Sequence, residues 1–230
     1  MGGWAEFGLA LAVFVGSHFL PRLGGLRDRL IGRFGRRPYF LVYGVVSVIL
    51  LGWLIGAAGR TPYVELWPQM PWMRWVPNVA LPVAILLVTC GVGLPNPFTL
   101  GSRRNAVFDR EKPGFAAVSR HPLFVALALW AGSHLVVNGD LAHVILFGIF
   151  LAMAVVAIPV FDGKARRELG PDAGRFLDRT AVLSFAPLCQ RTWLKANGPA
   201  LLRRGFVGLI VWVGVLEFHV AVIGISALPL

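Results

Sequence analysis

Leu141–Phe161 runs for 21 residues without an Asp, Glu, Lys or Arg. A run of about 18 or more apolar residues constrains a chain more than any motif. In lipid, a single segment of that length satisfies its own N–H and C=O groups only as a helix. Five further runs are nearly as apolar. Candidate spans therefore fall at about Trp4–Leu20, Tyr39–Ala58, Val76–Pro95, Ala117–Val137, Leu141–Phe161 and Phe206–Ala227. The composition agrees: 57% of the 230 residues are hydrophobic and 14% charged, where soluble domains carry roughly a quarter charged residues. The expected fold is all-α, an integral membrane bundle of about six transmembrane helices forming a single domain over residues 1–230. The first run is expected to be a span rather than a cleaved signal peptide, because no Lys or Arg precedes Arg22 and no small-residue cleavage site follows.

The net charge of +11 raises nucleic acid as a partner, and its distribution argues against one. Segments 21–38, 96–120 and 162–205 hold 6, 5 and 9 of the Lys and Arg residues, whereas segment 59–75 holds 2 and the link 138–140 none. Cations thus fill alternate loops, and excess Lys and Arg mark the cytoplasmic side of a membrane. The pattern predicts N- and C-termini in the periplasm and cytoplasmic basic loops at about 21–38, 96–117 and 162–205, in a bacterial cell inner membrane. Anionic headgroups account for such a basic face. No basic cluster interleaved with aromatics stands in a soluble segment, so no nucleic acid is expected to bind. Cys90 and Cys189 have no partner spacing for zinc or a disulfide and read as inert.

Pro and Gly fall between the spans. The Asn138-Gly139-Asp140 link is so short that spans four and five are expected to form an antiparallel hairpin. Asp162 to Gly170-Pro171 reads as an extension of span five beyond the membrane, and Trp67, Trp72 and Trp75 read as an interfacial belt.

Ionisable side chains inside spans are costly unless paired or ligated, which makes each a functional candidate. An inner layer holds His18, Arg120, His121 and Asp162. An outer-half layer holds His134, His219 and Glu217, while His143 reads as interfacial. His121 and His134 lie thirteen residues apart, which at about 100° per residue leaves them on nearly opposite faces of one helix, too far apart to share a metal. Zinc normally takes three or four clustered ligands, and a proton relay a chain of acids. Haem needs one or two axial histidines and an apolar slot, so haem b fits isolated deep histidines best.

Val15-Gly-Ser-His18-Phe-Leu, Ser119-Arg-His-Pro122 and Trp130-Ala-Gly-Ser-His134 resemble the NnrU family of membrane proteins. So do Gly163-Lys-Ala-Arg-Arg-Glu-Leu-Gly170, Arg179-Thr180, Ser184-Phe-Ala-Pro187 and a closing His219. The resemblance covers nearly the whole chain. It implies a link to nitric oxide and nitrite metabolism in denitrification, or, through the related 15-cis-ζ-carotene isomerases, haem-dependent cis–trans isomerisation of a carotenoid. It further implies His18 and His134 as haem-iron ligands. Ala131 stands where those isomerases have an alternative cysteine ligand, and alanine cannot bind iron. Depth offers a second pair, since His134 and His219 are each about fourteen residues from the inner ends of their spans. Both pairs are carried forward, with either nitric oxide or a polyene as the expected small-molecule partner.

Arg120-His121-Pro122 is also similar to the nucleoside-site motif of isoprenylcysteine-type methyltransferases, a third reading. Phe124 replaces their Tyr, and Glu168 alone remains of an acidic pair. Arg120, His121 and Asp162 are expected to form a polar inner site, the arginine pairing with Asp162 or a haem propionate.

Overall fold

The computed structural model describes residues 2–101, 108–109 and 111–228, without the Arg22 side chain. Arg103, Arg104 and Arg110 of the second basic loop lie outside the described residues. Eight α-helices, with short 3-10 turns between them, are present among the described residues: α1 Gly3–Phe19, α2 Leu26–Phe34, α3 Arg36–Gly59, α4 Trp75–Gly91, α5 Pro122–Val137, α6 Leu141–Leu169, α7 Ala173–Arg179 and α8 Arg191–Ile223. There is no strand among the described residues, only an isolated bridge between Glu65 and Asp140. The fold is an all-α membrane bundle.

Four helical segments have the length and hydropathy to cross a membrane: Arg36–Gly59, Pro71–Gly91, Leu141–Arg179 and Arg191–Ile223. Taken as one bent span, α1 with α2 makes a fifth. The fourth expected span is shorter than the sequence suggests. It was placed at Ala117–Val137, but α5 begins only at Pro122 and has 16 residues, about 24 Å of helix against a hydrocarbon core of about 30 Å. Proline suits a first helical position because it has no N–H to leave unpaired. The five residues before it are tied elsewhere, as Arg120 N donates to Ala181 O at 2.6 Å and Ser184 N to Val118 O at 2.8 Å. At the other end of the chain the last helix is longer than its apolar run, since α8 starts at Arg191 rather than near Phe206 and carries Pro199 within it. The third span ends early, at Gly91, before a left-handed Gly93. The extension of span five is present: α6 runs to Leu169 and stops where Gly170 turns left-handed.

The chain divides into two compact units, Met1–Pro68 with Gly139–Leu146, and Gln69–Asn138 with Phe147–Leu230. In the first, α1 and α3 pack antiparallel. Arg60, at the end of α3, pairs with Glu6 near the start of α1 at 2.6 Å, and Trp53 Nε1 donates to the same carboxylate at 3.2 Å. At the opposite ends the His18 ring meets Tyr43 at 5.7 Å. The loop before α4 lies against the start of α6, with Leu66 N on Gly139 O at 2.7 Å and Leu141 N on Val64 O at 2.9 Å.

In the second unit α4, α5 and α8 pack with the body of α6. Ala84 and Leu87 of α4 meet Val125 and Ala126 of α5 in a core that Leu129 and Ile158 extend. Gly91 permits the closest approach, because a Cβ there would collide with the Pro122 ring. Helices α5 and α6 run antiparallel, as shown by Phe124 on Phe161 at 4.9 Å near one end and His134 on Phe147 at 5.1 Å near the other. Phe98 and Phe176 stack edge-on at 5.3 Å beside Ala165, which folds the loop after α4 and helix α7 onto the end of α6.

Candidate functional site

Two groups of polar side chains stand out in the second unit, at opposite ends of α5. The first gathers around Asp162. Arg120 grips this carboxylate with two parallel hydrogen bonds, Nε to Oδ1 at 2.8 Å and Nη2 to Oδ2 at 2.7 Å, and its Nη1 reaches Thr180 O at 3.2 Å. Such two-point pairing is the strong geometry for arginine and carboxylate. His121 Nε2 lies 2.8 Å from Asp162 Oδ1 and Nδ1 lies 3.2 Å from Thr99 Oγ1. An ionised carboxylate only accepts, so Nε2 carries the proton and, in the neutral ring, Nδ1 accepts from the Thr99 hydroxyl.

The surroundings close this centre. His121 and Ser119 are fully buried, and Asn96 and Thr180 nearly so. Asn96 Nδ2 donates to Arg120 O at 3.0 Å, Ser119 Oγ to Val182 O at 2.7 Å, and Thr180 Oγ to Phe176 O at 2.7 Å. One carboxylate thereby ties the start of α5, the far part of α6 and the segments 96–99 and 180–182 together. Removing one partner of a buried, hydrogen-bonded ion pair typically costs about 3–5 kcal/mol.

The second group holds His134 and His219. His134 Nδ1 lies 2.8 Å from Trp130 O, one turn earlier in α5, and its ring packs against Trp130 at 5.5 Å and Phe147 at 5.1 Å. A carbonyl only accepts, so Nδ1 carries the proton and the neutral ring keeps its lone pair on Nε2. No hydrogen bond to that Nε2 is present among the described residues. His219 repeats the arrangement, with Nδ1 2.6 Å from Ile225 O. On α8, Trp212 precedes His219 by seven residues and so shares its face. The Trp212 indole N–H is a buried donor without a partner among the described residues.

The sequence candidates are thus distributed over three places. Arg120, His121 and Asp162 come together, while His134 and His219 share the second unit without a direct contact between them among the described residues. His18 belongs to the first unit, where its Nδ1 lies 2.8 Å from Phe14 O and its ring 4.6 Å from Phe14. His143 pairs with the Asp140 carboxylate at 2.8 Å while that residue also takes the His143 N–H, an end-cap on α6. Glu217 is exposed on α8. Among the described residues no three His, Cys, Asp or Glu side chains are grouped to hold a metal ion. Sequence reasoning missed Thr99 and Asn96, whose one visible signal is the Pro95-Asn96-Pro97 turn, and gave Thr180 no role although Arg179-Thr180 is one of the motifs. It also missed Arg204, whose Nη1 reaches the carbonyls of Thr89, Cys90 and Val92 at 3.0, 3.1 and 2.7 Å.

An apolar helical bundle that holds, among the described residues, a buried ion-pair centre at one end of α5 and histidines near the ends of α5 and α8 is an integral membrane protein. The sequence profile of the family described as NnrU protein matches residues 6–227, nearly the whole chain, and the protein belongs to that family. No curated protein and no solved structure matches it.

Proposed function

We propose that this protein binds haem b in the second unit, with His134 as an iron ligand, and serves nitric oxide or nitrite metabolism in a bacterial inner membrane. The observation that carries the haem reading is the state of the His134 ring, with Nδ1–H given to Trp130 O and Nε2 left as a free lone pair. A ligating histidine is commonly oriented in this way, its other nitrogen donating to a backbone carbonyl. His219 has the same tautomer and belongs to the same unit as His134, whereas His18 belongs to the first unit, which favours these two over His134 with His18 as the axial pair. The unpartnered Trp212 N–H on the His219 face suits a bound group that offers an acceptor.

When bound, haem would supply an iron that takes up a small gas ligand or changes valence. The chain's own part is to hold the two rings, and Trp130 and Phe147 exclude water from the His134 imidazole. Ala131, at the position of the isomerases' alternative cysteine, is fully buried and offers iron no ligand. That favours fixed ligation over a redox-driven exchange of ligands, and so nitric oxide chemistry over isomerisation of a polyene. The Arg120–His121–Asp162 centre spends its donors on its own carboxylate, which argues against a methyltransferase nucleoside pocket there. The link to nitric oxide rests on the family resemblance.

The test is the absorption spectrum of the purified protein, oxidised and dithionite-reduced, before and after addition of nitric oxide. A Soret band that shifts on reduction and again with nitric oxide is expected. His134→Ala and His219→Ala should each abolish or displace it, while His143→Ala leaves it in place. Loss with His18→Ala and retention with His219→Ala would overturn the pairing. A protein that purifies without haem and shows no shift with added haem would end the cofactor reading.

A further inference from the structure

We propose that the corner between α2 and α3 is a docking site for the phosphate of an anionic phospholipid. The chain reaches this corner through a break after α1, where Leu23 is extended and Gly24 and Gly25 adopt φ of 58° and 70°. Helix α2 then buries none of its residues. Leu23 and Phe34 are 64% and 60% exposed, and Leu20 and Leu26 are exposed beside them. Cations stand among these apolar side chains: Arg27, Arg29, Arg33, Arg36 and Arg37, against the single carboxylate of Asp28.

Two of the cations are gathered at one point. The guanidinium carbons of Arg27, from α2, and Arg36, from α3, lie 5.5 and 4.9 Å from the centre of the same Phe40 ring. The ring attracts each cation through its negative face, yet the two cations repel one another. Arg29 is engaged by the Gly24 carbonyl. No ion pair links Arg27 or Arg36 to a carboxylate among the described residues. Ring contacts occupy no oxygen acceptor, so the N–H donors of both guanidinium groups stay available for a phosphate, the anion arginine grips best.

The apolar side chains select the source of that phosphate. A soluble anion would engage the arginines alone, whereas a phospholipid offers acyl chain to Leu20, Leu23, Leu26 and Phe34 and its headgroup to the arginines together. The sequence also places this segment at the basic end of the spans, where anionic lipid lies.

Native mass spectrometry of the full-length protein, released from vesicles of mixed phosphatidylglycerol and phosphatidylcholine, tests the site. The unmodified protein should retain phosphatidylglycerol in several-fold excess. Arg27→Gln with Arg36→Gln should remove most of that excess, while Arg166→Gln with Arg167→Gln, an equal change of charge at the end of α6, keeps it. Equal retention of both lipids by the unmodified protein, equal loss in both double variants, or displacement by inorganic phosphate would each overturn the proposal. The unmodified protein supplies an independent reading should the first double variant misfold. Phosphatidylglycerol must raise its thermal stability more than phosphatidylcholine does, and equal effects would refute the site.

Discussion

Asp162 answers for two donor side chains at once, the Arg120 guanidinium and the His121 imidazole. Its side chain is only 15% exposed and Arg120 11%, so neither charge is well solvated if its partner is removed. Asp162→Ala is expected to lower stability by about 3–5 kcal/mol, read as loss of monodisperse protein after a heating series in detergent. Arg120→Lys keeps the charge without the two-point grip and should cost less. If Asp162→Ala melts with the unmodified protein, the pair is not a structural tie. Gly91 shows the same dependence on single atoms, since any side chain there meets the Pro122 ring from which α5 starts.

At the scale of elements, the end of α4 is held from outside its own helix. The last carbonyls of a helix have no partner within it, and a cation near them is favourable. Arg204 of α8 meets both needs by donating to three carbonyls at that end, beside a close contact of Gly208 with Thr89. Arg204→Ala should therefore destabilise the protein by about 1–3 kcal/mol, the usual cost of leaving partly buried acceptors unmet. Arg203→Ala, one residue away, makes the control. Equal melting of the two variants would show that the clasp contributes nothing. Helix α5 illustrates the opposite trade. It gives up its first turns to a loop bonded into residues 180–184, and what lengthens that end of the unit is the Asp162 centre rather than helix.

At the scale of the whole molecule the arrangement of charge makes a topological prediction. Alternate loops carry 20 of the 22 Lys and Arg residues. Reporter fusions after residue 75 and at the C-terminus should both read as periplasmic, and a cytoplasmic signal at either position refutes the orientation.

The all-helical membrane architecture could be read from the chain alone, because lipid leaves a long apolar segment little other choice and each span declares itself locally. Arg120, His121, Asp162, His134 and His219 were legible for a related reason: an ionisable group at the edge or depth of an apolar run is conspicuous by its cost. Helix ends were not legible. Where α5 starts depends on bonds to residues about 60 positions later, and where α8 starts depends on a polar stretch that hydropathy treats as loop. Nor could the sequence tell Asp162 from a haem propionate as the partner of Arg120. Only the tertiary structure brought the carboxylate to the guanidinium, placed Thr99 and Thr180 beside them and put His134 and His219 in one unit. Those contacts join residues far apart in the chain, where ordinary threonines and asparagines carry no local signal, and packing alone decides which of them meet.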